Sequence, residues 1–170
     1  MLSCRAMTQS SDFRADIEEA VKALSLSAST FKLVSLHEYE PILVSILERF
    51  TTLGKKGLNA SWLWAALQEP HTSIHVAYPP GVLQKLVLPQ EKVWFVAEDW
   101  RRTKRHGNFW LYEGTVAAIV KLLGEVHGFE YCIVSKKFEW LLGEDHHGVL
   151  TGVGQLVMEK IENLKTSSEM

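Results

Sequence analysis

The sequence predicts an α+β domain with a mainly antiparallel sheet of about 4–6 strands and helices packed on at least one face of that sheet. Apolar residues three or four apart dominate the first third of the chain and its C-terminal end, which is typical of amphipathic helices. Between these regions lies a series of short apolar runs rich in β-branched and aromatic residues, which is typical of strands. The chain has 170 residues and no long polar linker, so one domain is expected.

Five stretches are predicted to be helical. In the second of them, Ser35 and Glu38 have the spacing of a capping box, and Gly54 follows as a stop signal. The β-branched run that begins at Thr115 is compatible with a strand, but its length and the Gly124 behind it favour a buried helix. The predicted helices span about 12–24, 38–52, 59–67, 115–123 and 152–164.

Five further stretches are predicted to be strands. They span 72–77, 92–97, 108–112, 129–135 and 138–142, whereas residues 82–87 fit either a helical turn or a strand. The two-residue period of a strand assigns Phe95 to one face of the sheet and Trp94 and Val96 to the other, so both faces are apolar. Either helices cover both faces, or one face is an exposed aromatic platform for binding.

Composition and charge narrow the possible classes of function. With 18 Lys and Arg against 20 Asp and Glu the formal net charge is −2, whereas a dedicated nucleic-acid-binding protein usually has an excess of basic residues. Two cysteines give no disulfide framework, so a cytoplasmic location is expected. Neither a membrane span nor a signal peptide is predicted from the sequence. Residues 1–11 are expected to form a disordered arm, 12–164 the domain and 165–170 a frayed tail.

One candidate site is the segment Glu144-Asp145-His146-His147. Carboxylates and imidazoles bind Zn²⁺ and other divalent ions, but neighbouring side chains seldom point at one metal, so a distant third ligand is required. His146 or His147 could instead act as a general base that Asp145 orients. The alternative is a polar turn whose side chains hydrogen-bond the backbone. No nucleophile motif accompanies the segment, and neither a catalytic residue nor a cofactor is predicted.

A second candidate site is the basic stretch that follows Trp100. Its cations are Arg101, Arg102, Lys104 and Arg105. Together with Trp100 they fit a contact surface for a partner protein, because aromatic and arginine side chains usually carry the energy of an interface. Phosphate recognition with a base stacked on Trp100 is one alternative, and a solvated hairpin tip without a partner is another. Trp140, on a later strand, is expected to join the contact surface.

The block from Val93 to Gly154 resembles a family of small bacterial proteins of unknown function. It contains the runs Gly107-Asn108-Phe109-Trp110-Leu111-Tyr112-Glu113-Gly114 and Ser135-Lys136-Lys137-Phe138-Glu139-Trp140-Leu141-Leu142, followed by Glu144-Asp145-His146-His147. Such families are similar in layout to the immunity proteins of bacterial toxin systems, including the SUKH type. The resemblance implies a small cytoplasmic α+β protein without catalytic residues, which neutralises a toxin by covering its active site.

The favoured hypothesis is therefore a non-enzymatic cytoplasmic protein-binding module of the immunity-protein kind. Its predicted partner contacts are Trp100, Arg101, Arg102, Lys104, Arg105 and Trp140. The alternative hypothesis is a metal-binding or small-ligand-binding protein, or a hydrolase, that uses Glu144, Asp145, His146 and His147. RNA binding is a weaker alternative. The sequence leaves the oligomeric state open.

Overall fold

A computed structural model of the chain describes residues 12–61, 63–101, 103–104 and 107–168, without the side chains of Trp64 and Ser168. The arm predicted for residues 1–11 lies outside this description. The described residues form five α-helices, two 3-10 helices and seven strands, which confirms the α+β class. None of these helices combines the length and the apolar composition that crossing a membrane requires.

The elements take the following bounds. The α-helices are α1 (Phe13–Ala23), α2 (Leu36–Phe50), α3 (Pro79–Leu86), α4 (Val116–Glu125) and α5 (Gln155–Ser168), and the 3-10 helices are Gly54–Asn59 and Leu63–Ala66. The strands are β1 (Phe31–Leu33), β2 (His71–His75), β3 (Lys92–Glu98), β4 (Phe109–Thr115), β5 (Tyr131–Ser135), β6 (Leu141–Glu144) and β7 (Val149–Val153).

All seven strands belong to one antiparallel sheet with the order β1-β4-β3-β5-β6-β7-β2. The sheet is larger than predicted because the sequence pattern did not indicate two of its short strands. β1 has only three residues, and β7 lies between the turn glycines Gly148 and Gly154. The sequence predicted no element over residues 149–151 and a helix from residue 152 onwards. α5 therefore begins at Gln155 rather than at residue 152, and it continues through Ser168 into the segment that was expected to fray.

Helices cover both faces of the sheet. Phe95 lies in a core that the sheet forms with α1, α3, α4 and α5, whereas Val96 lies in a second core that it forms with α2 and the 3-10 helices. This separation confirms the alternation predicted for β3. Because each face packs against helices, the idea of an exposed aromatic platform is wrong for the described part of the sheet.

Local chemistry accounts for several helix boundaries. Pro79 occupies the first turn of α3, where the missing N–H carries no cost, and the ambiguous segment that follows is helical. The hydroxyl oxygen of Thr115 accepts a hydrogen bond from the amide of Ala118 at 3.2 Å and thereby caps α4. α2 starts directly after Ser35 as expected, but the side chain of Ser35 makes no capping hydrogen bond, so the predicted capping box does not form.

Candidate functional site

A cleft of about 470 Å³ opens where β3 and β6 end and β5 begins. It brings together residues from both sites predicted from the sequence, since Trp100 of the basic stretch and Glu144, Asp145 and His146 of the acidic segment all line it. Glu98, Phe129 and Glu130 complete most of its wall. Four carboxylates and one imidazole therefore surround a cleft with an aromatic rim. The antiparallel pairing of β3, β5 and β6 produces this convergence, because strand ends that are distant in sequence lie side by side.

Asp145 holds the turn between β6 and β7. One oxygen of its buried carboxylate accepts hydrogen bonds from the amides of His147 at 2.8 Å and Val149 at 3.1 Å. The turn closes through the amide of Gly148, which donates to the carbonyl oxygen of Asp145 at 3.2 Å in a backbone conformation with φ of 73°. The polar-turn alternative thus describes Asp145 correctly, and the expectation that Asp145 orients a histidine is wrong.

Glu130, and not Asp145, is the carboxylate that orients a histidine. Its Oε1 lies 2.6 Å from Nδ1 of His146, and it also accepts a hydrogen bond from the His146 amide at 3.4 Å. The side chain of Glu130 is only 11% exposed, whereas that of His146 is 49% exposed and has the ring of His147 3.9 Å away. A carboxylate at Nδ1 fixes the orientation of the imidazole ring. Sequence reasoning missed Glu130 because it lies 16 residues before His146.

Glu144 is the carboxylate of the cleft whose environment changes its acidity. It lies at the end of β6, opposite Tyr131 in the register of β5 and β6, and it is partly buried. Desolvation by burial raises the pKa of Glu144 above the ordinary value for glutamate; the hydroxyl of Tyr131 opposes this in part, and the neighbouring charge of Asp145 acts in the same direction as burial. This carboxyl group therefore keeps its proton to a higher pH than an exposed glutamate does.

The two described cations of the basic stretch, Arg101 and Lys104, contact the domain. Nη1 of Arg101 lies 2.6 Å from the carboxylate of Asp16 on α1. Nζ of Lys104 lies over the rings of Tyr39 and Trp110, 4.6 and 5.3 Å from their centroids. Both cations thus make contacts within the domain, and the idea of a solvated hairpin tip is wrong for them. Arg102 and Arg105, the other predicted contacts, lie outside the described residues.

A buried carboxylate anchors the start of this stretch. Asp99 is 1% exposed, and its Oδ2 accepts hydrogen bonds from the hydroxyl of Thr103 at 2.6 Å and the indole N–H of Trp110 at 3.1 Å. The hydroxyl oxygen of Thr103 in turn accepts a hydrogen bond from the amide of Phe13 at the beginning of α1 at 3.3 Å. The segment next to the cleft is therefore held by β4 and α1. No motif in the sequence signalled this role of Asp99.

The two tryptophans predicted as partner contacts have opposite environments. Trp100 is 55% exposed on the rim of the cleft, with the guanidinium of Arg101 5.5 Å from its ring centroid. Trp140 is 2% exposed and lies in the core between the sheet and the helices around α4. The prediction that Trp140 contacts a partner is wrong, because the hairpin before β6 turns this side chain inward.

Residues 9–165 match a family described as a family of unknown function, DUF6756. The chain belongs to the DUF6756 family. No curated protein and no solved structure matches it. The family description names no activity, so the similarity to immunity proteins stays a prediction for this DUF6756 protein, and its chemistry has to be argued from its own residues.

The cleft of this DUF6756 protein combines several carboxylates with an exposed indole and one histidine–carboxylate pair. Within the described ranges, no group of three or more His, Cys, Asp or Glu side chains is arranged to hold a metal ion. The thiol of Cys132 is buried below the sheet surface, and burial raises its pKa to about 12, so it is a poor nucleophile. What the cleft offers a ligand is an exposed indole, several carboxylates and the imidazole of His146.

Proposed function

We propose that this DUF6756 protein is a protein-binding module whose partner contacts the rim of the cleft around Trp100. The observation that carries the proposal is the exposure of Trp100, of which 55% is accessible beside a cleft of about 470 Å³. Large aromatic side chains that are exposed next to a concavity are the residues that most often dominate the energy of a protein interface.

The rigidity of the rim supports this proposal. Asp99, directly before Trp100, is fixed by Thr103 and Trp110, and Arg101, directly after it, is paired with Asp16. Trp100 is therefore held between two anchored neighbours. A side chain on a backbone that is already ordered loses little conformational entropy when a partner covers it, which strengthens binding.

The contacts of the basic stretch favour a protein partner over RNA. Arg101 and Lys104 already interact with acidic or aromatic groups of the domain. The cleft beside Trp100 is lined by four carboxylates, which repel phosphate groups. A base stacked on Trp100 would bring its phosphates close to Glu98 and Glu144, at a cost in electrostatic energy.

A site-specific cross-linker tests the proposal. Trp100→p-benzoylphenylalanine, introduced into the full chain in its own cells, should give one dominant cross-linked protein upon irradiation. Leu88→p-benzoylphenylalanine is the matched control, because Leu88 is 63% exposed and does not line the cleft. With the purified partner, Trp100→Ala should weaken binding by at least about 30-fold, as expected for an aromatic hot spot. Equal affinity of Trp100→Ala and the unmodified protein would refute the proposal.

The proposal also covers the cellular location and the biological role of the protein. We infer a cytoplasmic, immunity-like module that silences a bacterial partner by covering the partner's functional surface. The free thiol of Cys132 fits a reducing compartment. Once the cross-linked partner is known, its activity is measured with and without one equivalent of this protein. Full partner activity in the saturated complex would remove the immunity-like role and leave the binding role intact.

A second candidate function is hydrolysis with His146 as general base, which the 2.6 Å contact between His146 and Glu130 favours. Glu130 would orient the ring, and Nε2 would take a proton from water as its oxygen attacks the substrate. The test is turnover of a panel of nitrophenyl esters and amides by the unmodified protein, His146→Gln and the control His147→Gln. A general base contributes about 10²–10⁴-fold, so His146→Gln should lose the activity and His147→Gln should keep it. Equal rates for all three proteins would exclude this candidate.

A further inference from the structure

The outer edge of β2 is the longer of the two edges of the sheet. The strand order ends on β1, which has three residues, and on β2, which has five. β2 pairs with β7 on one side, and no strand of the described residues pairs with its other side. An unpaired edge presents a row of backbone donors and acceptors that can pair with another strand.

The register identifies which backbone groups face outward. The amide of Val76 donates a hydrogen bond to the carbonyl oxygen of Gly148 at 3.5 Å, so the pairing of β2 with β7 continues past the end of β2. Hydrogen-bonded pairs alternate along an antiparallel ladder. The N–H and C=O groups of His71, Ser73 and His75 therefore point away from β7. Ser73 and Thr151 are register partners, and this assignment makes them a non-hydrogen-bonded pair. Side chains approach each other more closely in such pairs, which agrees with the 2.7 Å distance between the two hydroxyls.

An acidic groove lies at the His71 end of this edge. It has a volume of about 650 Å³ and is bounded by the end of α2, by Pro70 and by the first turns of α5. Its charged lining residues are Glu69, Glu139, Glu159, Glu162 and Arg49. Lys165 donates to Glu162 at 3.0 Å, Nδ1 of His71 lies 3.5 Å from Glu69, and the side-chain amide of Gln155 donates to Glu159 at 2.9 Å. Four carboxylates against the cations of Arg49 and Lys165 leave the groove with a net negative charge.

We propose that β2 pairs with an extended segment of a partner protein, and that lysine or arginine residues following this segment enter the acidic groove. The segment runs antiparallel to β2, so its C-terminal end arrives at His71 and Pro70, where the groove begins. Main-chain hydrogen bonds to His71, Ser73 and His75 supply the pairing, and the carboxylates supply the selectivity for a basic sequence. This second surface does not include Trp100 and goes beyond the proposed function.

The charge of the groove favours a basic partner segment over a second copy of this chain as the strand that pairs with β2. Two β2 strands could pair with each other across a two-fold axis. However, residues 58–84, which contain β2 and its flanks, include no lysine or arginine. The chain that flanks β2 in a second copy would therefore bring no cation to the groove, and Lys165, which lies 3.0 Å from the Thr72 hydroxyl, already pairs with Glu162 of its own copy. A basic partner segment would pair with the edge and also place cations in the groove.

A short peptide provides the probe. The peptide Thr-Val-Thr-Val-Thr-Gly-Lys-Arg-Lys, labelled with fluorescein, is titrated with the full chain and followed by fluorescence anisotropy. Its reversed sequence has the same composition but carries the cations at the opposite end of an antiparallel strand. A third peptide has the forward sequence, but every second backbone amide is N-methylated. The methylated amides are those that would donate hydrogen bonds to β2. The forward peptide should bind at least about tenfold more tightly than either control, because each control removes one of the two contributions.

Variants locate the peptide on the protein. Ser73→Pro removes an N–H that faces away from β7 and blocks the edge, so the ladder with β7 stays intact. It should abolish peptide binding, whereas the matched Ser73→Ala should not. The double variant Glu139→Gln/Glu159→Gln should weaken binding of the forward peptide about tenfold, and the control Glu19→Gln/Glu125→Gln, at exposed sites on α1 and α4, should not.

Each other outcome overturns the inference. Equal affinity for the three peptides, or loss of binding with both glutamate pairs alike, would mean that the peptide associates with acidic surface in general. Normal binding to Ser73→Pro would mean that the edge is not used. A dimer in sedimentation that Ser73→Pro converts to monomer would assign the edge to a second copy. Because Trp100→Ala leaves this surface untouched, failure here and failure of the proposed function are separate results.

Discussion

Oδ2 of Asp99 lies 3.1 Å from the indole nitrogen of Trp110 and accepts its hydrogen bond within the domain. This contact joins the residue before Trp100 to β4, and the hydroxyl of Thr103 on the same oxygen extends the connection to α1. The exposed Trp100 therefore depends on a buried carboxylate next to it in the chain.

Removal of this carboxylate should destabilise the fold. Asp99→Ala removes the buried charged acceptor of the indole N–H of Trp110 and of the hydroxyl of Thr103. A hydrogen bond to a charged group contributes about 1.5–3 kcal/mol, and less where its donor is exposed, as Thr103 is. We expect the free energy of unfolding in urea to fall by roughly 2–4 kcal/mol. Asp99→Asn keeps an oxygen acceptor and should retain more than half of this stability. Equal stability of Asp99→Ala and the unmodified protein would show that the network contributes nothing.

The two tryptophans should respond to truncation in opposite ways. Trp140→Ala opens a cavity in the core and should lower the free energy of unfolding by about 3–5 kcal/mol. Trp100→Ala removes a side chain that is 55% exposed and should change it by no more than about 0.5 kcal/mol. Thermal unfolding followed by far-ultraviolet circular dichroism measures both variants. A Trp100→Ala protein as unstable as Trp140→Ala would mean that Trp100 supports the core rather than a partner surface.

Most of the sheet could be predicted from the sequence because its central strands carry their own signal. β3 alternates between two apolar faces, and this pattern correctly separated Phe95 from Val96. β7 carries no such signal, because Thr151 and Gly152 interrupt its apolar residues, and short polar strands form only through their neighbours. β2 lies at the edge of the sheet because it pairs with β7, so a local sequence pattern could not predict this position.

The candidate cleft was predicted in parts rather than as a whole. The sequence indicated Trp100 and His146 separately, because their residue types are conspicuous. It could not show that they lie on one cleft, since this depends on the pairing of β3 with β5 and of β5 with β6. Glu130 was missed for the same reason, and Trp140 was misplaced because a tryptophan near a hairpin looks the same in sequence whether it points in or out.

Alanine substitutions at two glycines with positive φ distinguish the loss of stability due to backbone strain from the loss due to a steric clash. A Cβ atom on Gly154, whose φ is 104°, would lie 2.4 Å from the carbonyl oxygen of Glu139 and 2.9 Å from Cα of Trp140. Gly128 has a φ of 81°, but its Cβ would meet nothing within 4 Å. Gly128→Ala should therefore cost only about 1–2 kcal/mol of strain. Gly154→Ala should cost at least about 2 kcal/mol more, since backbone atoms cannot move aside easily. Equal urea midpoints for the two variants would contradict this reading of Gly154.

The carboxyl group of Glu144 should make stability depend on pH. Burial raises its pKa in the folded state above the value in the unfolded chain, so the folded state holds this proton more tightly. The resulting stabilisation is complete below the unfolded pKa of about 4.5 and is lost as the pH rises through the higher folded value. At pH 7 the partly buried, ionised carboxylate destabilises the folded state, and Glu144→Gln removes this destabilisation. The variant should therefore be more stable than the unmodified protein at neutral pH, by an amount of the order of 0.5 kcal/mol.

Urea unfolding of Glu144→Gln at a series of pH values between about 4 and 7 measures this dependence, with the exposed Glu125→Gln as the control for loss of one negative charge. The advantage of Glu144→Gln should shrink towards acidic pH, where the carboxyl of the unmodified protein is itself protonated. Glu125→Gln should show no such trend. If Glu144→Gln is less stable at pH 7 than at pH 4, relative to the unmodified protein, the fold favours the ionised carboxylate. The contact of the Tyr131 hydroxyl with Glu144 would then outweigh the cost of desolvation, and the prediction would be wrong.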